Sequence, residues 1–139
     1  MTIPSFDSVR DLPVASDADL AQRLSLMLAT AVRRQVWLMF LDEDDRQLPV
    51  IVPNKMGTKP RSADATALAT YITNLCHELN ASSVVITYER RGREAITDSD
   101  RAWLLCLRNA CVIAGVRFRG PFLCHNYGVI QVAPDEYLA

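Results

Sequence analysis

Three features of this chain predict an α/β domain of the α+β kind, a single helix-sheet-helix sandwich built on a mixed β-sheet. The run Val36-Trp37-Leu38-Met39-Phe40-Leu41 is apolar without interruption, as expected of a strand covered on both faces. Helical periodicity flanks it, with Leu20, Leu24, Met27, Leu28 and Ala31 before it and Leu68, Tyr71, Ile72, Leu75, Cys76 and Leu79 after it. Each set makes one apolar face that needs a partner. A further helical stretch, Asp98 to about Ala114, is followed by apolar runs short enough to be strands.

In chain order, residues 1–15 contain two prolines and no sustained period, so they read as an arm ahead of one domain spanning 16–139. Ser16, with Asp19 three residues on, approximates a capping box and starts the first helix. After the strand at 36–41, Asp42 to Arg46 make a turn, and Leu48 to Val52 return as a second strand. Pro49 and Pro53 remove ladder donors and assign that strand to an edge or a bulge. Residues 54–61, with Gly57, Pro60 and the cations Lys55, Lys59 and Arg61, read as an exposed loop. Ser62 is a candidate cap for the next helix, and Asn80, which tolerates the left-handed conformation, its stop.

Val84 to Thr87 form the next strand, and Thr97 opens the helix from Asp98. Leu104, Leu107, Cys111 and Ala114 make one stripe on it, while Leu105, Val112 and Ile113 widen the apolar surface. That breadth implies burial on two sides or a contact with another subunit. Phe118, Phe122 and Leu123 continue as a strand interrupted by Gly120-Pro121. His125-Asn126-Tyr127-Gly128 reads as a hairpin turn, and Val129, Ile130 and Val132 as the closing strand.

With 139 residues, half of them hydrophobic, the chain buries about two-thirds of its unfolded surface, enough for a core without staples or a metal. A net charge of −1 and a pI near 6.1 argue against broad attraction to nucleic acid. The apolar run at 36–41 is far short of the ~20 residues that span a bilayer, and the first residues lack a signal peptide's apolar core, so the expected location is cytoplasmic. Cys76, Cys106, Cys111 and Cys124 form no CxxC pair and have apolar neighbours, as reduced core thiols do. Cys76-His77 and Cys124-His125 are conceivable halves of a metal site, but structural burial is the simpler reading.

One segment carries a chemical pattern. In Val84-Val85-Ile86-Thr87-Tyr88-Glu89-Arg90-Arg91-Gly92-Arg93-Glu94-Ala95-Ile96-Thr97-Asp98-Ser99-Asp100, a strand opens into a polar loop and a helix follows. Leu41 to Leu48 pair an acidic turn with apolar flanks, Leu79-Asn80-Ala81-Ser82-Ser83-Val84-Val85 pass from helix to strand, and Ala114-Gly115-Val116-Arg117 end the long helix. In order and spacing these stretches resemble the RadC-like branch of the JAB/MPN superfamily over roughly residues 35–133. The family's zinc motif is His-x-His, seven residues, Ser, two residues, Asp. Its positions fall on Thr87, Glu89, Thr97 and Asp100, and the upstream glutamate that acts as its base falls on Gln35.

The resemblance implies a hydrolase scaffold whose site is degenerate. In the family, two imidazoles and a carboxylate hold zinc, which lowers the pKa of bound water from about 15.7 to about 7 while the glutamate takes its proton. An amide at Gln35 cannot be that base, and the hydroxyl of Thr87 is a poor ligand. Glu89 and Asp100 together offer only hard oxygen donors. A plainer account makes Thr97 and Asp100 a helix cap facing the dipole and Glu89 a solvated charge among Arg90, Arg91 and Arg93. Those arginines, bent by Gly92 and with Arg117 and Arg119 as possible neighbours, are the candidate anion or partner site, against a solubilising loop.

The function expected from these readings is a non-catalytic JAB/MPN-like module for protein interaction or assembly, with no metal or other cofactor. Family members without metal ligands act as scaffolds in larger complexes. An unnamed protein partner, or a second copy bound through the helix from Asp98, is expected, and no membrane. The alternatives are a hydrolase rebuilt around a different divalent ion on Glu89 and Asp100, joined by His125, and a nucleic-acid-associated protein using the Arg90 to Arg93 loop.

Overall fold

Along β1 (Gln35–Leu41) the side chains alternate between two apolar layers, and this alternation sets the architecture. Val36, Leu38 and Phe40 enter one core with Val84, Ile86 and Tyr88, and Met39 and Leu41 enter another with Val85 and Phe122. The computed structural model describes residues 12–138. After α1 (Asp17–Leu28) and β1 come β2 (Gln47–Lys55), α2 (Asp64–Leu79), β3 (Ser83–Glu89), α3 (Asp98–Ala114), β4 (Arg117–His125), β5 (Gly128–Gln131) and α4 (Asp135–Leu138). The chain is one α+β domain with a five-stranded mixed sheet ordered β2-β1-β3-β4-β5, in which β3 and β4 pair parallel and the other neighbours antiparallel.

Helices cover both faces. Leu20 and Leu24 of α1 close the smaller core, together with Val14. Ile72 and Cys76 of α2 and Trp103, Leu104, Leu107, Ala110 and Cys111 of α3 close the larger one. The outward side of α3 leaves Leu105, Val112 and Ile113 exposed. The apolar breadth of that helix therefore divides into a buried face and an open one.

Local chemistry fixes most of the ends. The Ser16 hydroxyl accepts from the Asp19 amide at 3.1 Å. Asn80 closes α2 in the left-handed conformation (φ 53°, ψ 44°), with its amide bonded back to the last turn. In the first hairpin, one Asp42 carboxylate oxygen accepts from the amides of Asp44 and Arg46, both at 2.9 Å, so the acidic turn is self-capped. Pro49 and Pro53 do lie on an edge strand. Gly120 and Pro121 do not split β4, which runs through both with a shift in its pairing to β3. Gly120 sits at φ 102°, where a Cβ would lie 2.9 Å from the Ile86 carbonyl oxygen.

Three expectations need correction or addition. Ser62 does not cap α2. The N-cap is Ala63 with no side-chain bond, and Asp64 instead accepts from the Arg61 amide at 2.7 Å. The closing strand stops at Gln131, although Val132 stays buried with its amide on the Pro121 carbonyl. Pro134 then opens the short helix α4, which buries Tyr137 and had no sequence periodicity long enough to announce it. The first eleven residues of the arm expected over 1–15 lie outside the described residues. Leu12 to Ala15 are bound into the domain by Arg23 and Arg119, which donate to the carbonyls of Leu12, Val14 and Ala15.

Candidate functional site

β3 is buried along its whole length, and its last residues alternate across the sheet. Thr87 and Glu89 share the face of Val85, toward α1, while Tyr88 shares the face of Ile86, toward α2 and α3. The motif positions therefore fall into two places. Gln35 is the cross-strand partner of Glu89, and Trp37 that of Thr87. Asp100 and Thr97 belong to α3, on the opposite face.

On the α1 side, Glu89 is only 3% exposed and accepts four hydrogen bonds. Oε1 takes Gln35 Nε2 at 2.8 Å and the Trp37 indole at 2.7 Å. Oε2 takes the amides of Val32 at 2.6 Å and Arg33 at 3.0 Å. Burial pushes this carboxyl up, but the four donors, Trp37 foremost, outweigh it and hold the group below its ordinary range. The sequence expectation of a solvated glutamate balanced by its arginine neighbours is wrong. The connection at residues 29–34 folds over the strand end, and its amides, with two β1 side chains, supply neutral donors instead. The nearby Cys124 thiol is pushed up to about 12, by burial first and then by the Glu89 charge.

On the other side, Asp100 is 1% exposed and Arg90 4%. Arg90 Nε reaches both carboxylate oxygens at 3.1 and 3.2 Å, and Nη2 reaches Oδ2 at 2.8 Å. The remaining guanidinium donors go to the carbonyls of Arg93 and Ala95. Thr97 and Asp100 complete a capping box, with each side chain bonded to the other's amide at 3.1 and 3.0 Å. Burial would raise the Asp100 carboxyl, yet Arg90 and the Thr97 amide bring it below the usual value. Tyr88 is pushed up by burial against the opposing pull of Arg34, whose guanidinium donates to its hydroxyl.

Arg90 is consequently no member of an exposed anion site. Its three guanidinium nitrogens all bond inside the protein, and it organises the loop that the sequence suggested it would advertise. Arg91 and Arg93 are exposed, and Arg91 Nε donates to the Val32 carbonyl at 2.7 Å. Reciprocal bonds between Gly92 and Asn126, at 3.0 and 2.9 Å, tie the loop to the β4–β5 turn. Arg117 and Arg119 do not join it. The parallel register places them beside Ser83 and Val85, at the other end of β3, where Arg119 pairs with Asp17 at 3.2 Å and approaches Asp45 at 3.7 Å.

No convergent ligand set forms from these groups. Among the described residues, no three His, Cys, Asp or Glu side chains gather where they would hold a metal ion. His125 uses Nδ1 to accept from the Tyr127 amide at 3.2 Å. Cys76, Cys106, Cys111 and Cys124 are free and buried, and burial pushes Cys111 up to about 12. Thr87 Oγ1 is buried with no hydrogen-bond partner among the described residues.

The feature that sequence reasoning missed is a cleft of about 440 Å³ between the β2–α2 connection and helices α2 and α3. Lys55, Lys59 and Arg61 rim it, and Met56, Leu68, Tyr71 and Trp103 line it. The cations were visible as a basic loop, but their proximity to the aromatic residues of two later helices is a tertiary fact. The chain matches no family model and no curated protein. No helix in the described residues is long and apolar enough to cross a membrane.

Proposed function

We propose that this chain is a non-catalytic binding domain with JAB/MPN-like layering, a cytoplasmic module for protein interaction or assembly. The single observation carrying the proposal is that its two best candidate ligands, Glu89 and Asp100, lie on opposite faces of β3 and are each occupied by structural donors. A hydrolytic metal needs an open coordination position and a base within reach of one water. Here one carboxylate fastens the 29–34 connection to the strand end, and the other neutralises a buried arginine. Gln35 pairs across the strands with Glu89 while Asp100 lies across the sheet, so the motif positions do not share one pocket.

Four reduced, buried thiols fit a reducing compartment. The exposed Leu105, Val112 and Ile113 on α3 fit a protein partner, a second copy included. Binding to nucleic acid draws no support from Arg90, which is consumed internally.

The test is elemental analysis of protein purified without chelator, together with incubation on an isopeptide-linked substrate. Absence of stoichiometric metal and of cleavage is the expected result, and either one appearing overturns the proposal. Light scattering at tens of micromolar tests the second copy, which a purely monomeric solution rejects.

A further inference from the structure

Cations and apolar surface meet in the cleft beside the β2–α2 connection. Among the described residues, Lys55, Lys59 and Arg61 have no carboxylate within ion-pair distance. The acidic group on the lining, Asp64, already accepts from the Arg61 amide. This contrasts with Arg90 and Arg119, whose guanidinium groups are spent on internal carbonyls and carboxylates.

The rim is also held in place. Trp103, 2% exposed, donates its indole N–H to the Gly57 carbonyl at 2.9 Å, and the Ser99 hydroxyl donates to the Thr58 carbonyl. The Met56 amide is bonded to the Arg34 carbonyl at 3.3 Å. Two of these anchors come from α3 and one from the residue before β1, so the basic loop is displayed on fixed backbone. Ordering costs that a mobile loop would incur on binding are thereby reduced.

We propose that this cleft binds an acidic peptide segment of a partner protein, with one apolar side chain of that segment seated between Met56, Leu68, Tyr71 and Trp103. Charge complementarity selects the occupant. The cations are strung along the connection, from Lys55 closing β2 to Arg61 three residues before α2, which matches carboxylates spaced along a chain better than one compact phosphate. The volume is that of a small-ligand pocket, room for an anchor side chain rather than a folded surface. The apolar lining is stepped, with Trp103 buried, Met56 and Leu68 half-buried and Tyr71 exposed, a shape suited to one side chain entering from a peptide. This rests on the binding-module reading, for which it names the partner's chemistry.

The probe is a short fluorescein-labelled peptide of Glu and Asp with a central Phe, titrated into the full chain and read by anisotropy. Amide chemical-shift mapping locates it. Saturable binding is expected, with shifts at residues 54–64, 71 and 103, weakening as salt rises. The double substitution Lys59→Glu with Arg61→Glu should weaken binding at least tenfold. Tyr71→Ser, and exchange of the peptide's Phe for Ser, should each weaken it severalfold. All three protein positions are exposed, and an unchanged thermal midpoint verifies that the variants fold.

Absence of saturable binding, indifference to the charge reversal, or shifts confined to another surface overturns the proposal. So does retention on phosphatidylserine vesicles with the peptide ignored. Any of these results, with no metal and no isopeptide cleavage, rejects the acidic partner alone. Cleavage or bound metal rejects the non-catalytic reading whatever the peptide does.

Discussion

Two carboxylates at one strand end, Glu89 on the strand and Asp100 held by the next residue, Arg90, are buried in opposite ways. Glu89, facing α1, is an unpaired anion solvated by four neutral donors, two of them backbone amides. Asp100, facing β3 from the other layer, is half of an ion pair with Arg90. The first resembles an anion receptor built from dipoles, and the second cancels charge against charge. The comparison teaches that a buried acid beside a motif is no guide to reactivity until its donors are counted, because both arrangements hold the carboxylate ionised and neither leaves it free to take a proton.

The difference is best broken on the charged pair. Asp100→Ala strands a buried guanidinium, and a loss of about 3–5 kcal/mol of stability is expected in urea unfolding. Replacing both partners together, Arg90→Met with Asp100→Leu, should cost less than Asp100→Ala alone, since a hydrophobic pair leaves no uncompensated charge. A double variant as unstable as the sum of its parts would show that the Arg90 bonds to the Arg93 and Ala95 carbonyls matter more than the pair.

On the opposite face, Glu89→Gln preserves shape but gives the donors a neutral acceptor and confronts some of them with an amide N–H. About 2–3 kcal/mol is expected, within the range for hydrogen bonds to a charged group. Because no countercharge is left behind, this loss should stay below that of Asp100→Ala. A larger one would reverse the ranking drawn here.

Acid sharpens the same comparison. Both carboxyls have folded-state values below their unfolded ones, so the unfolded chain binds more protons as the pH falls. Their stabilisation is complete above the unfolded values, near 4.5 for Glu89 and 3.8 for Asp100, and is lost as pH falls through the lower folded values. Unfolding midpoints should be flat above about pH 5.5 and drop below it. Glu89→Gln should flatten its share of that limb. An unchanged acid limb would mean that Glu89 is not held in its anionic form by the donors around it.

Smaller effects follow at the helix ends. Thr97→Ala removes the side-chain half of the α3 capping box and should cost about 1 kcal/mol by thermal denaturation. At Asn80, already left-handed, replacement by Gly should change stability by no more than a few tenths of a kcal/mol.

Much of the layering was legible because it depends on local pattern. The unbroken apolar run at 36–41 announced a central strand, the prolines at 49 and 53 an edge, Asn80 a helix stop and Thr97 with Asp100 a cap, and each is where the pattern put it. The chemistry at the strand end was not. Glu89 and Arg90 are neighbours in sequence, yet strand alternation sends them to different layers, with the donors to Glu89 lying 52 to 57 residues away and the carboxylate that pairs with Arg90 ten residues away. Charge adjacency along the chain therefore suggested a solvated cluster where the fold made two sealed ones. The basic cleft was hidden for a related reason, since Trp103 and Lys59 meet only once α3 is laid against the β2–α2 connection.

The edge strand carries one more lesson. A β2 interrupted by Pro49 and Pro53 lacks two of the amides that a foreign strand would need for a continuous ladder, and the opposite margin, β5, is only four residues long. Lateral growth of the sheet from chain to chain is thereby discouraged at both borders. Crowded copies of the molecule should resist fibrillation, leaving side-chain surfaces as the route by which it joins anything else.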